Sequence, residues 1–331
     1  MVKIRAFDGS DADYAAVVEI VNALWPEFPI AVSQLKHWDA CREEKYRFTR
    51  IMGERDGRVV ASGVFGDSQW THVPGKYFIG INVHPDFQRQ GVGSQFYEHM
   101  IREITEYEPA AIALTSDTRE DKPDYVRFLT KRGFVQKMRD QTSRLDLEAF
   151  DPEEFLDVVE RVEAMGVEIV SAAELEKRDP DWWREHYELD WIVSQDIPTM
   201  DPITKRDFET FRKAYDGPGF VPEMYLVALK DGRQVGTASL WEQPASPDRL
   251  YTELTGVLPR FRRKGIATAL KVRSLELGKK TGARWVDTDN DDTNPMYLLN
   301  VKLGFRPLPA WLVFRRDLGP GDLAREIGRA A

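Results

Sequence analysis

One cysteine in 331 residues, Cys41, rules out an internal disulfide, and it reads as a small buried or half-buried side chain. Five histidines lie scattered with no HxxxH or CxxC spacing, which argues against a structural zinc site. No apolar run approaches the roughly 18–20 residues of a membrane span. The opening MVKIRAFDGSDADY lacks the apolar stretch of a signal peptide, so a cytoplasmic protein is expected. Excess positive charge is missing too. With 46 Lys and Arg against 55 Asp and Glu, the net charge of -9 argues against a broad electrostatic grip on nucleic acid or an anionic membrane. A locally basic ligand site stays open. What remains, 42% hydrophobic and 31% charged residues, is the profile of a globular chain long enough for two domains.

The chain repeats itself. Residues 77–93, YFIGINVHPDFQRQGVG, match 251–267, YTELTGVLPRFRRKGIA, as V-x-P-x-F-x-R-x-G-x-small. Upstream, ERDGRVVASG (54–63) matches LKDGRQVGTA (229–238), each reading as a hairpin with Asp-Gly at its turn. Downstream, LTKRGF (129–134) matches VKLGF (301–305). Landmarks in one order at a nearly constant offset describe two copies of one α/β unit. Each copy reads as a strand (2–7; 167–172), a helical region, the hairpin and a third strand ending at Val-x-Pro, followed by a helix. A fourth strand (111–116; 283–289), a short helix ending at Gly-Phe and a last strand (143–147; 312–318) complete it. That order predicts an α/β (α+β) fold of two tandem domains, each a mixed, largely antiparallel sheet flanked by helices. Between the copies, Asp151-Pro152-Glu153-Glu154 predicts a capped helix running to about Gly166. The domains are accordingly drawn at 1–148 and 149–331, packed together because no Gly/Ser-rich linker separates them.

The shared element is a strand stopping at Pro85 or Pro259, a basic glycine-containing loop, and a helix starting near Gly91 or Gly265. Free N–H groups and the partial positive charge at such a helix start favour phosphate, and glycine lets the backbone come close. Gln88 and Arg89, or Arg262, Arg263 and Lys264, can add charge-assisted bonds. No GxxxxGK[ST] occurs, nor GxGxxG after the strand, so a mononucleotide phosphate loop fits poorly. A solvated basic loop or a nucleic-acid patch is the bland alternative, but the first copy repeats the loop with little charge.

Gln88-Arg89-Gln90-Gly91-Val92-Gly93 and Arg262-Arg263-Lys264-Gly265-Ile266-Ala267 resemble the [QR]-x-x-G-x-[GA] signature of the GNAT superfamily of acyl-CoA-dependent N-acetyltransferases. The likeness covers nearly the whole chain, and the tandem arrangement is similar to that of mycothiol synthases. It implies acetyl-CoA as cofactor, with its pyrophosphate on the two loops and the following Ser94 and Thr268, and its pantetheine along Ile81-Asn82-Val83 and Thr255-Gly256-Val257. It also implies a catalytic Glu or Asp on the strand before the loop. Ungapped alignment sets Glu253 against Ile79, so only the second half carries an acid there, and alternation puts Glu253 on one face with Thr255 and Val257. An exposed or ion-paired strand glutamate is the competing reading.

The family's leaving-group tyrosine, four residues before Gly-Phe, is replaced by Leu129 in the first half and Asn300 in the second; Tyr297, one turn earlier, and Tyr251 are the candidate phenols, each also readable as packing. Thr288, Asn290, Asn294, Met296, Asn300, Gly304 and Phe305 resemble a subgroup whose asparagines line the cleft, which gives Asn294 a cofactor contact besides its role as a helix cap before Pro295. Asp287, Asp289, Asp291 and Asp292 do not meet calcium-loop spacing, and no metal is expected. Residues 179–202, with Trp182, Trp183, Tyr187, Trp191, Asp190, Asp196 and Asp201, offer an aromatic and acidic wall for a cationic amine, or simply core. The expectation is an N-acetyltransferase acting on a small-molecule amine through its second half, with a non-catalytic acyl-CoA sensor as the alternative. No nucleic-acid or membrane partner is expected. A monomer is preferred to a homodimer, since the tandem supplies its own pairing.

Overall fold

The computed structural model describes residues 2–330. The first half runs β1 (Lys3–Ala6), α1 (Asp11–Leu24), α2 (Val32–Ala40), β2 (Phe48–Arg55), β3 (Arg58–Gly66), β4 (Lys76–Val83), α3 (Val92–Tyr107), β5 (Ala113–Arg119), α4 (Pro123–Thr130) and β6 (Val135–Asp146). The second half begins with α5 (Leu156–Ala164), β7 (Val167–Ser171), α6 (Ala172–Arg178), α7 (Trp182–Ser194) and α8 (Phe208–Ala214). It continues through β8 (Tyr225–Lys230), β9 (Arg233–Glu242), β10 (Arg249–Val257), α9 (Ile266–Lys280), β11 (Trp285–Asp291), α10 (Pro295–Lys302), β12 (Arg306–Pro307), β13 (Trp311–Asp317) and α11 (Asp322–Ala330). No helix among the described residues is long and apolar enough to cross a membrane.

Local chemistry sets the element boundaries. Both hairpins turn on Asp-Gly pairs with positive φ, 52° and 78° at Asp56-Gly57 and 52° and 75° at Asp231-Gly232, the conformation a two-residue turn needs to match strand twist. Ser10 Oγ caps α1 through the Asp13 N–H, and Asn294 Oδ1 caps α10 through the Met296 N–H at 2.9 Å. Asp151 accepts from the Glu153 N–H and caps a 3₁₀ turn, Pro152–Phe155, that leads into α5.

Two compact units result, and they do not follow the sequence boundary at 148/149. One holds residues 2–139, 200–204 and 311–330; the other holds 140–199 and 205–310. The first unit's sheet has the order β1-β2-β3-β4-β5-β13, and the second unit's has β6-β11-β10-β9-β8-β7, with β12 also on β6. In each sheet one neighbouring pair is parallel, β4 with β5 and β10 with β11; the others are antiparallel. The last strand of each repeat thus belongs to the unit built from the other repeat. A repeat in sequence marks equivalent segments, whereas hydrogen bonding decides which edge a terminal strand joins, and only the first was legible.

In the first unit Phe96, Met100 and Ile104 of α3 cover one sheet face at Val60, Ala61, Phe65 and Ile79, while α1 and α2 pack Val17 and Leu35 on Met52. In the second unit α5 and α9 bury Val159, Ile266, Leu270 and Leu275 against Ala238, Leu240, Leu250 and Val257. The opposite face carries Trp182 and Trp183 of α7, Phe211 of α8, and Tyr225 and Val227 of β8.

A lysine lies in the core among α9's apolar side chains. Lys271 of α9 is 2% exposed, with its Nζ 5.6 Å from the Phe305 ring centre, and burial pushes its pKa down to about 7. Between that value and the unfolded value of 10.5, the folded state binds fewer protons than the unfolded state, so stability rises with pH across this window. The penalty is fully present below about pH 7 and fades toward 10.5. Lys271→Met is expected to stabilise the protein by roughly 2–4 kcal/mol at pH 7, with the gain shrinking as pH approaches 10. Urea unfolding of both proteins from pH 6 to 10 checks it.

Candidate active site

Each unit's parallel pair holds together for three residues and then parts. Lys76, Tyr77 and Phe78 pair with Ala113, Leu114 and Thr115; Arg249, Leu250 and Tyr251 pair with Trp285, Val286 and Asp287. Beyond these, β4 and β10 pair only with β3 and β9, and a wedge opens beside them. Leu258 donates its N–H to Val235 O, while the Val257 carbonyl accepts from Arg262 Nε at 2.9 Å. Alternation along an antiparallel ladder then turns the backbone groups of Gly256 to β9 and those of Thr255 and Val257 to the wedge. The first unit repeats this: His84 N–H goes to Val60 O, Gln88 Nε2 to Val83 O at 3.0 Å, and Ile81 and Val83 face the wedge, with Asn82 turned to β3.

The loops at the ends of these strands are close copies. Arg89 and Gly91 have φ of 59° and 82°, and Arg263 and Gly265 have 59° and 89°, a conformation that gathers successive N–H groups into an anion-binding concavity. Gly91 and Gly265 are the N-caps of α3 and α9, and neither helix has a side-chain cap. The first intrahelical bonds run from Gln95 to Gly91 and from Ala269 to Gly265. Val92, Gly93 and Ser94, and likewise Ile266, Ala267 and Thr268, therefore present N–H groups with no carbonyl one turn back. The first side chain of each motif serves the loop itself: Gln88 Nε2 also reaches Tyr125 Oη at 2.6 Å, and Arg262 is ion-paired with Asp196. Arg263 and Lys264 are exposed, whereas Arg89 lies 3.6 Å from Asp124 and Gln90 Oε1 accepts from Arg55 at 2.6 Å.

The second wedge is flanked by buried polar atoms without partners: Oγ1 of Thr252 and Thr255, and Oδ1 of the fully buried Asn300, whose Nδ2 donates to Asn290 Oδ1 at 2.5 Å. Tyr297 is half-buried one turn before Asn300, and Asn294 is occupied as the cap of α10. Unpaired backbone and side-chain groups along an open wedge that ends in an uncapped helix start fit a polar amide arm carrying a pyrophosphate.

Face assignment by simple alternation fails at Glu253. Thr252 pairs with Leu240 and Thr255 with Ala238, so two residues of β10, Glu253 and Leu254, stand opposite Ser239 alone. This β-bulge resets the alternation. Val257 joins the core beneath α9, whereas Gly256 faces α7 so closely that an added Cβ would lie 2.5 Å from Val193 Cβ. Glu253 lies on the α7 side with Tyr251, not on the side of Thr255 and Val257; its charge interacts with Asp190 of α7, Arg206 and Asp289. β4 pairs with β3 without interruption from Phe78 to Val83, so β4 has no bulge and no residue equivalent to Glu253.

Glu253 is solvent-accessible yet ringed by protein, and desolvation raises its pKa, opposed by Arg206 and reinforced by Asp190 and Asp289. Asp190 is raised to about 6 by desolvation, opposed by Arg206. Desolvation and the Asp289 carboxylate push Tyr251 well up, and its hydroxyl donates to Asp289 Oδ2 at 2.8 Å. Of the wall proposed over 179–202, only Asp190 joins this group. Trp182 and Trp183 are core, Asp196 is paired with Arg262, and Asp201 is paired with Lys76 in the first unit. Arg206, a loop arginine, carries no pattern of its own in the sequence, and Asp289 enters there only as one of four aspartates weighed for a metal; the strand pairings put it level with Asp117.

The first unit differs where acceptor chemistry would sit. Trp25 packs against Trp311 at 5.1 Å with the rings tilted by 51° and meets Tyr125 edge-on at 6.0 Å, and Arg119, 2% exposed, is bonded to Glu27 and Asp121. A cavity of about 250 Å³ remains beside its loop, lined by Leu24, Pro85, Gln88, Asp121 and Tyr125. Asp117 of β5, raised to about 6 by desolvation, is the acid level with Asp289.

The acetyltransferase (GNAT) family model matches residues 17–134 and again 169–305. No curated protein matches the chain. Among solved structures, a tandem GNAT protein from the clavulanic acid biosynthesis pathway superimposes with TM-score 0.76 at 19% identity, covering 97% of this chain and 100% of its own. A GCN5-related N-acetyltransferase from Sphaerobacter thermophilus gives 0.66 at 19% identity, over 96% of this chain and 95% of its own. A putative acetyltransferase from Pyrococcus horikoshii gives 0.54 at 13% identity, over 96% and 90%. Two family matches on two copies of the same parted strands and uncapped helix starts make one conclusion: the chain belongs to the acetyltransferase (GNAT) family, as a tandem of two such domains.

Proposed function

We propose that the protein transfers an acetyl group from acetyl-CoA to the amine of a small molecule, with the chemistry in the second unit. The observation that carries this reading is the place of Glu253, at the bulge on the α7 side of β10, beside a wedge flanked by unpartnered Thr252, Thr255 and Asn300 atoms. Bound acetyl-CoA supplies the thioester that the amine attacks. Its pyrophosphate is held by the N–H groups of Gly265 to Thr268 with Arg263 and Lys264, and its amide arm by the wedge-facing backbone of Thr255 and Val257. An amine arrives as an ammonium ion and is not a nucleophile until it loses a proton. Glu253, made more basic by desolvation, takes that proton directly or through one water. Tyr297 supplies the phenol on α10 for the departing thiolate, since Asn300 at the family's tyrosine position has no acidic proton to give. The first unit, with neither a bulge nor an acid on β4 and with Trp25, Tyr125 and Trp311 packed together, serves as scaffold.

Calorimetry is expected to find one acetyl-CoA site in the wild type, lost in Gly265→Glu and kept in Glu253→Gln. With a reacting amine, Glu253→Gln lowers kcat by about 10²–10⁴-fold. In the wild type, kcat/KM rises with pH through a value above the ordinary glutamate range, because the base must be ionised. A Glu253→Gln protein that turns over at the wild-type rate contradicts the assignment and favours an acyl-CoA sensor whose slow turnover is incidental. Tyr297→Phe is expected to lower kcat by no more than about tenfold, measured by thiol release, since a thiolate can leave unprotonated.

A further inference from the structure

On the α7-side face of the second sheet, Trp241 of β9 stands directly opposite Tyr251 of β10. Two aromatic side chains so paired, with Cβ atoms about 5 Å apart, ordinarily pack on each other. Here they part. The Trp241 ring lies 5.3 Å from Phe220 and 5.8 Å from Tyr215, and these two rings meet Tyr225 of β8 at 5.7 and 5.4 Å, so the indole leans toward β8. Tyr251 leans the other way, its hydroxyl donating to Asp289 Oδ2 of β11 at 2.8 Å. β8 and β11 flank the β9–β10 pair on opposite sides, and Tyr215 and Phe220 are the rings that Trp241 meets among the described residues.

Anchors on opposite sides therefore hold the two rings apart, with the backbone of β9 and β10 as the floor between them. Both residues are half-buried, which leaves part of each open. Trp241 Nε1 is buried without a partner, so the indole turns its polar edge inward. Two residues along the strands, a step of about 7 Å, the bulge places Glu253 on the same face, accessible to solvent. A slot with two aromatic walls suits a flat ring, because stacked and edge-on contacts gain on both sides what a saturated ring does not. The step from slot to carboxylate suits a short tether ending in an amine.

We infer that the acceptor is an arylalkylamine, a primary amine on a short tether to an aromatic ring, whose ring lies between Trp241 and Tyr251 while its nitrogen meets Glu253. This rests on the transferase reading and adds the acceptor's chemical class to it. Trp241 selects the substrate; it takes no part in the proton transfer.

The test uses the full chain with 2-phenylethylamine and 2-cyclohexylethylamine, which share a tether and a carbon count and differ in the flatness of the ring. Thiol release from acetyl-CoA is expected to give kcat/KM at least about tenfold higher for the aryl amine. Trp241→Leu brings the ratio toward one, mainly by raising KM for the aryl amine, with acetyl-CoA binding unchanged in calorimetry, and Trp241→Phe keeps most of the preference. Thermal shift without acetyl-CoA gives a second readout: the aryl amine raises Tm of the wild type more than the cyclohexyl amine does, and Trp241→Leu abolishes the difference. Equal kcat/KM for the two amines in the wild type overturns the inference, as does a Trp241→Leu protein that keeps the preference or loses both activities in proportion. If Trp241→Leu does not fold, the wild-type comparison and Trp241→Phe decide, and a folded Trp241→Phe protein without the preference overturns the inference. Failure of the transferase reading looks different, as absent acetyl-CoA binding and no thiol release with either amine, and the thermal-shift comparison still decides whether a flat ring is preferred.

Discussion

Two parallel strands that pair for three residues and then separate leave a line of backbone N–H and C=O groups with no strand to bond. Most proteins avoid that arrangement, and here it occurs twice at equivalent places. The wedge is tolerable because its floor ends in a left-handed glycine and an uncapped helix start, so one extended ligand with amides and a pyrophosphate can meet all of these unsatisfied groups together. The loop motif, the Asp-Gly hairpin that positions the third strand, and the Gly-Phe that ends the short helix all serve to hold that parting in place.

What distinguishes the halves is one inserted residue. β4 pairs with β3 without a shift, while β10 gains a residue between Thr252 and Thr255, so that Glu253 shares the α7 side with Tyr251 while Thr255 and Val257 take the α9 side. Gly256 lets Val193 approach the strand just beyond, which brings the helix bearing Asp190 over the same face. The first unit instead keeps its aromatic side chains and the Arg119 ion cluster where an acceptor would need room.

Much of this could be read in the sequence, because it is written in residues with local meaning. Asp-Gly turns, the Asn294-Pro295 cap and the glycines of the two loops act within a few positions of themselves, and the repeat made each of them twice as visible. The exchange of β6 and β13 between units, and the face of Glu253, depend on non-local pairing. Strict alternation is the natural rule for a strand, and the bulge of β10 breaks it with no sequence signal, because 77–93 and 251–267 match without a gap across it. Arg206 is invisible in the sequence for a related reason: a loop arginine gains a role only when folding brings it beside Glu253 and Asp190.

The place of the Glu253 carboxylate sets the second unit apart, so the most direct measurement exchanges Glu253 and Leu254, which keeps the chain length of the bulge and moves the carboxylate one residue along the strand. With the protein folded by circular dichroism and acetyl-CoA binding retained by calorimetry, kcat is predicted to fall by about 10²-fold or more, since the carboxylate then leaves its place among Asp190, Arg206 and Asp289. Undiminished turnover in that variant would contradict the assignment of Glu253 in the second unit as the working base.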